Sequence, residues 1–125
     1  MIRKNTILQQ CRDYNLRLTS TRRRIINQFV TATRPLSYDE CKGTLQMDKA
    51  TFYRNMHTFE SAGLIRKIES DDKKWYFELA TTAHAHFICD HCHRVECLEE
   101  FPLIPIQGYS VDTVIYKGTC TSCNA

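Results

Sequence analysis

The 125-residue sequence lacks any apolar run near the ~18 residues that a membrane-spanning helix needs. It also lacks the basic start and short apolar stretch of a signal peptide. We therefore expect a cytoplasmic protein with no membrane partner. Internal repeats and low-complexity tracts are absent as well, and 42% of the residues are hydrophobic, which argues against a disordered chain.

The sequence is also without the patterns that mark common enzyme sites. It contains no glycine-rich phosphate loop, no nucleophile elbow and no His-Glu-x-x-His pattern. Hydrolytic zinc needs an open coordination position and a positioned base, which Glu78, His84 and His86 could supply. We expect no enzyme, and we keep a zinc-dependent enzyme or a metal-storage module as the alternative of another class.

Charge is distributed unevenly along the chain. Residues 1–78 contain 15 Lys and Arg against 9 Asp and Glu, a net charge of +6. Residues 79–125 contain 2 against 5, a net charge of −3. A basic part followed by an acidic part rich in cysteine and histidine indicates two functions, the first facing an anion such as nucleic acid. A solvated basic surface is the alternative.

Four helical segments followed by a hairpin are predicted in the first 80 residues. Three of the helices have cap candidates, which are Thr19 or Ser20, the Ser37–Glu40 capping box, and Asp48. Beyond Gly63 the apolar period changes to two, in strands 64–69 and 74–79 around a turn at 70–73. Helices followed by a hairpin predict a winged helix-turn-helix in residues 1–80.

Short strands tied together by cysteine pairs are predicted in the rest of the chain, at residues 84–89, 94–98 and 111–117. We place a domain boundary near 80–83. The predicted fold class is therefore α+β, in which the winged helix is followed by a small, mostly β, zinc-stapled domain in residues 84–125.

The fourth predicted helix, residues 48–62, has an apolar face and a polar face. Phe52, Met56 and Phe59 share the apolar stripe. The polar side carries Ala50, Arg54, His57 and Thr58, flanked by Thr51 and Tyr53. An arginine there can fork onto guanine, which is typical of a helix in the major groove, and an ordinary solvated face is the alternative. Arg17 and the cluster Arg22–Arg24 would add phosphate or minor-groove contacts.

Four of the seven cysteines form the Cys-x-x-Cys pairs Cys89/Cys92 and Cys120/Cys123. Two residues between thiolates let one tight turn direct both sulfurs at one ion, and two such turns complete a tetrahedron around Zn²⁺. The spacing predicts a structural four-cysteine zinc site, and a redox dithiol is the main alternative.

A second set of metal-binding side chains surrounds the predicted domain boundary. His84 and His86 share one face of a predicted strand, Glu78 ends the hairpin, and Cys97 lies outside both cysteine pairs. Nitrogen, carboxylate and thiolate ligands together favour Zn²⁺ over Mg²⁺ or Ca²⁺. Because these residues come from both parts of the chain, a metal here would couple domain orientation to metal occupancy. Two solvated histidines and a core cysteine are the alternative.

Taken together, these residues resemble the ferric uptake regulator family of bacterial metal-responsive repressors. The matching segments are 17–22 (RLTSTR), 48–55 (DKATFYRN), 76–79 (YFEL), 84–92 (HAHFICDHC) and 118–123 (GTCTSC). They occur in family order over nearly the whole chain. The resemblance implies a winged-helix domain joined to an α/β dimerisation domain, and a homodimer that binds palindromic operators in double-stranded DNA when it is loaded with metal.

The resemblance also implies roles for individual residues. Tyr53 and Arg54 look like the base- and backbone-contacting pair, and Arg17 looks like the basic contact ahead of the second helix. Cys89, Cys92, Cys120 and Cys123 look like the structural zinc ligands, and Glu78, His84 and His86 look like ligands of a sensor site. That site would hold a second divalent metal, Zn²⁺ or Fe²⁺, and Cys97 moves the expectation toward zinc.

Three features depart from the family pattern. Arg34 stands where the family usually has a sensor histidine, and Cys97 stands where it usually has a carboxylate. Residues 100–107 (EFPLIPIQ) are too short and too rich in proline for the family's long dimerisation helix. The second domain is therefore expected to be trimmed. A family member that keeps structural zinc but binds DNA without sensing metal is a further alternative, in which Arg34 would pair with Glu78 and imitate the ion.

Overall fold

The computed structural model describes residues 2–80, 84–98, 101 and 103–124, apart from the side chains of residues 2–6 and 84. In chain order its elements are α1 (Ile2–Asp13), α2 (Ser20–Thr31), β1 (Leu36–Ser37), α3 (Tyr38–Leu45), α4 (Lys49–Ser61), β2 (Ile65–Glu69), β3 (Trp75–Leu79), β4 (His84–Cys89), β5 (Val95–Leu98) and β6 (Thr113–Gly118). The predicted α+β class is confirmed, with helices first, then a hairpin, then a second sheet.

The helices begin where the sequence supplies caps. Thr19 and Asp48 each accept a hydrogen bond from the backbone N–H three residues further on, at the starts of α2 and α4. Ser37 and Glu40 form the predicted capping box at the start of α3. After α4, Gly63 adopts φ +74°, a conformation that favours glycine and turns the chain into β2. None of the described helices is long and apolar enough to span a bilayer.

The main core lies between the helices and one face of the hairpin. Phe52, Met56 and Phe59 of α4 are buried, as their stripe predicts, and Phe77 and Leu79 of β3 belong to the same cluster. The helices α1 to α3 contribute Ile7, Cys11, Ile25, Ile26, Phe29, Val30, Cys41 and Leu45. Burial of each large apolar side chain contributes about 1.5–3 kcal/mol, so this core holds α4 firmly in place with its polar face outward.

The first sheet is antiparallel, with strand order β1-β3-β2. Strands β2 and β3 form the predicted hairpin, called the wing below, in which Arg66 lies directly opposite Glu78 and Ile68 opposite Tyr76. Strand β1 was not predicted, because two residues are too few to show a period.

The second sheet has the strand order β5-β4-β6, in which β4 is antiparallel to β5 and parallel to β6. The predicted strand 84–89 matches β4, whereas β5 and β6 begin slightly later than predicted. The described residues between the two cysteine pairs contain no helix, as expected for a trimmed domain. The predicted boundary falls mainly on residues 81–83, which lie outside the described residues.

The outer face of the wing packs against the second sheet. Ile68 and Tyr76 of the wing form a small buried cluster with Ile88 and Val95. Because alternate residues of a strand share a face, the neighbouring positions on these strands continue the same layer. That layer is apolar at one end and polar at the other.

Candidate metal centres and DNA interface

The two Cys-x-x-Cys pairs lie at one end of the second sheet. Cys89 ends β4 and Cys92 lies in the turn that follows, while Cys120 and Cys123 lie in the turn after β6. The parallel pairing of β4 with β6 sets Cys89 opposite Gly118 and so places the two turns side by side. As a result the four sulfurs lie within 4.8 Å of one another.

The spacing of the sulfurs fits a tetrahedral ion. Cys92 Sγ and Cys120 Sγ are 3.8 Å apart. Two thiolates bound to one Zn²⁺ at ~2.3 Å and a tetrahedral angle would be separated by about 3.8 Å. A disulfide would bring the sulfurs to about 2.05 Å, and all seven cysteines are free. The geometry therefore suits four thiolates around one zinc ion.

The backbone around this cluster stabilises one thiolate. The N–H groups of Cys120 and Cys92 each donate to Cys89 Sγ at 3.4 Å, and the N–H of His91 donates at 3.3 Å. These hydrogen bonds lower the pKa of Cys89 to about 6, and the bond from the Cys120 N–H has the largest effect. The thiol of Cys123 hydrogen-bonds to Cys120, which with burial raises the pKa of Cys123 to about 12. The charge of a bound ion would deprotonate the remaining thiols.

A second group of metal-binding side chains lies between the wing and the second sheet. Donor atoms of Glu78, His86 and Cys97 lie within 4.8 Å of one another. His86 Nε2 is 2.8 Å from Glu78 Oε1, and the Cys97 thiol donates to Glu78 Oε2 at 3.3 Å. The structure thus brings together three of the four side chains predicted for the second site. The fourth, His84, begins β4, and its side chain lies outside the described residues.

Thr113 of β6 contacts the other nitrogen of the His86 ring. Thr113 Oγ1 is 2.8 Å from His86 Nδ1. A hydroxyl both donates and accepts, so Thr113 satisfies His86 in either tautomer. When Nε2 carries the proton toward Glu78, Nδ1 accepts from Thr113; when Nε2 faces a cation, Nδ1–H donates to Thr113. Thr113 was not predicted to belong to this site, because only the parallel pairing of β6 with β4 brings it to His86, 27 positions away in the sequence.

Arg66 of β2 contacts the carboxylate of this cluster. Its Nη1 is 2.8 Å from Glu78 Oε1, the same oxygen that contacts His86. The side chains of Arg66 and Glu78 are 16% and 6% exposed. Arg66 is therefore a member of the site that the sequence analysis did not identify.

Arg34 does not take the partner that was predicted for it. It pairs with Glu40, and its Nη1 donates to the carbonyl of Pro35 at 3.1 Å. The hypothesis that Arg34 pairs with Glu78 is wrong, because its guanidinium pairs with Glu40, the carboxylate of the α3 capping box. Arg34 still lines a cavity of about 190 Å³ together with Glu78 and Cys97, so it lies next to the second site.

Helix α4 turns its predicted polar face outward. Arg54 and His57 are exposed, whereas Thr51 is half-buried and its hydroxyl donates to Asp48. Tyr53 is also half-buried, with its ring packed edge-to-face against the aromatic part of the core. Arg54 and His57 are thus fully accessible to a duplex, and Tyr53 offers only part of its ring.

Arg17 and the cluster Arg22–Arg24, ahead of α4, are exposed or half-buried, and two of these arginines also hydrogen-bond to neighbouring helices. Arg17 is exposed, and its carbonyl accepts a hydrogen bond from Arg22 Nη1 at 2.8 Å. Arg22 Nε also donates to Asn55 at 3.1 Å, which ties α2 to α4. Arg24 donates to the carbonyl of Leu45, the last residue of α3. Arg22 and Arg24 thus also connect helices, and contact of the cluster Arg22–Arg24 with nucleic acid stays a prediction.

Comparison with known proteins matches both the motifs and the fold. The model of the ferric uptake regulator family matches residues 13–114. The chain belongs to the ferric uptake regulator family. The ferric uptake regulation protein of Staphylococcus epidermidis is 26% identical over 132 aligned residues, covering 95% of each chain. That of Neisseria meningitidis serogroup A is 29% identical over 135 aligned residues, covering 94% of this chain and 93% of its own.

A solved structure shows the same fold. The ferric uptake regulator Fur of Helicobacter pylori, which has three functional metal binding sites, superposes with a TM-score of 0.73 at 16% identity. The match covers 98% of this chain and 94% of that one. The resemblance drawn from the motifs is therefore confirmed at the level of family and fold.

Members of the ferric uptake regulator family are transcription regulators and not enzymes. This chain is accordingly a metal-responsive transcriptional regulator, and family membership argues against the zinc-dependent enzyme and the metal-storage module.

We predict one tightly bound zinc ion per chain at the four-cysteine cluster. Cys123→Ser removes one sulfur and should reduce zinc to well below one ion per chain after dialysis against a chelator. The second sheet should lose stability too, since structural zinc contributes about 10–16 kcal/mol in small peptides. Elemental analysis of the dialysed protein measures this. Cys11→Ala, at a buried cysteine of the main core that belongs to neither metal cluster, is the control, and equal zinc retention in the two variants would contradict the assignment.

Proposed function

We propose that this chain is a metal-dependent repressor that binds palindromic operators in double-stranded DNA as a homodimer. The observation that carries the proposal is the buried cluster of Glu78, His86 and Cys97, which joins the wing to the second sheet. Because these side chains come from both the wing and the second sheet, the orientation of the wing relative to the second sheet depends on what the cluster binds. We accordingly divide the chain into a DNA-binding domain, residues 1–80, and a zinc-binding dimerisation domain, residues 84–125.

In this proposal α4 enters the major groove. Exposed Arg54 forks onto a base edge or a phosphate, with His57 and Thr51 beside it, and the accessible edge of Tyr53 contacts a base or the backbone. Arg17 contacts a phosphate and fixes the register of the helix. In a dimer, two such helices reach successive major grooves ~34 Å apart, which accounts for a palindromic operator.

We assign the four cysteines to structural zinc and a second divalent metal to Glu78, His84, His86 and Cys97. When bound, this metal supplies two positive charges and fixed bond directions. Glu78 extends from the wing, and His86 and Cys97 extend from the second sheet, so the same side chains clamp the two sheets together. A sulfur ligand favours Zn²⁺ over Fe²⁺, and we therefore propose zinc as the sensed metal.

We propose that two copies pair through β6. Within the described residues β5 and β6 are the two edge strands of the second sheet, and β6 is the longer of them. Its Ile115 and Tyr116 are 41% and 48% exposed. A sheet edge with exposed apolar side chains is a template for pairing with a second chain, and a two-fold dimer is the commonest outcome. With the family's long helix trimmed, this edge is the surface best suited to dimerisation.

A second candidate is a family member that keeps structural zinc but binds DNA without sensing metal. The observation that favours it is the contact between Arg66 and Glu78, which gives the carboxylate a cation from within the chain. Arg34 favours it as well, because it stands where the family usually has a histidine ligand.

Arg54→Ala should weaken binding to a palindromic duplex by about 5- to 150-fold, because one base contact is worth about 1–3 kcal/mol. The duplex is obtained by selection from a random library, and the dissociation constant is measured by fluorescence anisotropy at one salt concentration. Arg94→Ala removes the same charge from an exposed arginine next to β5 and serves as the control. Unchanged affinity in Arg54→Ala would refute α4 as the reading helix.

Added Zn²⁺ should tighten operator binding, and a chelator too weak to strip the four-cysteine site should reverse the effect. His84→Ala combined with His86→Ala should abolish this response, because it removes both nitrogen ligands. Operator affinity is measured at buffered Zn²⁺ concentrations, with circular dichroism as the check on folding. His91→Ala, an exposed histidine outside the cluster, is the control. Operator binding by the wild type that ignores both zinc and chelator would favour the metal-independent candidate.

Replacing Ile115 and Tyr116 with lysine should convert the dimer to a monomer, because like charges would face each other across paired β6 strands. Sedimentation velocity over a range of protein concentrations measures the mass. Ile104→Lys changes another isoleucine, 82% exposed and outside every strand, and should leave the mass unchanged. A dimer that survives the double substitution would place the interface on another surface.

A further inference from the structure

Arg66 places a permanent positive charge at the proposed sensor site. Its Nη1 lies 2.8 Å from Glu78 Oε1. A guanidinium carries five N–H donors and no lone pair, so it can pair with the carboxylate but cannot bind a metal ion. The carboxylate of Glu78, which is proposed to bind the metal, is therefore already paired with a cation of the same chain.

The hairpin imposes this contact. Arg66 and Glu78 are direct cross-strand partners in the antiparallel wing, so their side chains leave the sheet on the same face. That face is held against the second sheet by Ile68 and Tyr76. Arg66 is therefore confined beside Glu78 for as long as the wing stays packed on the second sheet.

His86 and Arg66 both contact Glu78 Oε1, and they differ in whether they can rearrange when a metal ion binds to this oxygen. His86 Nε2, also 2.8 Å from this oxygen, can give up its proton and still keep Thr113 as the partner of Nδ1. Arg66 has no second protonation state to adopt. A cation bound by Glu78 must therefore either displace the guanidinium from Oε1 or share that oxygen with a like charge.

We propose that Arg66 is a built-in competitor of the sensor metal and raises the metal concentration at which this regulator responds. The inference rests on the proposed function, and it concerns a residue that is not one of the proposed ligands. Without metal, the guanidinium neutralises Glu78 and keeps the buried carboxylate satisfied. With metal, the same guanidinium opposes binding, through lost hydrogen bonding or through repulsion of like charges.

The test is the Zn²⁺ affinity of Arg66→Gln, measured by titration against a chromophoric chelator after the four-cysteine site has been filled. We expect the dissociation constant of the second zinc ion to fall by about tenfold or more, equivalent to about 1.4 kcal/mol. Lys67→Gln is the matched control, because it removes an equal charge from the next residue of β2. Lys67 lies on the opposite face, with its ammonium 4.0 Å from the centre of the Trp75 ring.

The outcomes separate this inference from the function on which it rests. If Arg66→Gln tightens zinc binding no more than Lys67→Gln does, the inference fails and the sensor site stands. If none of the proteins, wild type included, binds a second zinc ion, both fail. Binding of a second zinc ion by Arg66→Gln alone would support Arg66 as the competitor of the metal, but it would refute zinc sensing by the natural chain and favour the metal-independent candidate.

A second variant covers the case in which Arg66→Gln does not fold. Arg66→Met removes the charge but keeps a long unbranched stem that can pack between the wing and the second sheet. Tighter zinc binding than in the wild type would support the inference, and equal or weaker binding would overturn it.

Discussion

The wing and the second sheet are held together by a buried apolar layer, in which Ile68 and Tyr76 pack against Ile88 and Val95. The candidate sensor site exists because of this contact. Glu78 lies on a different sheet from the histidine it touches, so no local turn brings the two together. The apolar end of the layer supplies the burial that holds the sheets in register. Its polar end places a carboxylate, an imidazole, a thiol and a guanidinium where they are largely shielded from water, so that a change of charge there affects both sheets.

The second sheet is too small to be stable by itself. Its three strands are short, and the described residues of this part contain no helix to cover its outer face. A small sheet of this kind needs a staple, a partner or both. The four-cysteine cluster supplies the staple at one end, and the wing supplies packing on one face. The exposed apolar side chains of β6 are then readily understood as the surface that a second copy would cover. A small sheet without a helix over its outer face therefore agrees with the proposed zinc site and the proposed dimer.

Much of the fold could be predicted from the sequence, because it depends on chemistry between near neighbours. Ser37 and Glu40 begin α3 through a reciprocal cap, and Asp48 begins α4, whatever lies elsewhere in the chain. The stripe that buries Phe52 also determines that Arg54 faces outward. The two Cys-x-x-Cys turns likewise announce a zinc site from their spacing alone. Glu78, His86 and Cys97 were recognised as ligands from residue type, and the structure brings their donor atoms together.

The missed and mistaken residues depend on long-range pairing. A turn limited to residues 70–73 would pair Glu69 with Lys74 and so set Arg66 opposite Phe77; in the structure Glu69 pairs with Trp75, and Arg66 faces Glu78 instead. A shift of one residue in register sends every side chain of a strand to the other face. The sequence by itself thus determined the helices, their exposed faces and the zinc-binding turns, since these are governed by hydrogen bonds and spacing within a few residues. Only the tertiary structure decided which cation Glu78 contacts, which hydroxyl supports His86 and which helices Arg22 and Arg24 connect, because those partners are chosen by how distant strands and helices pack.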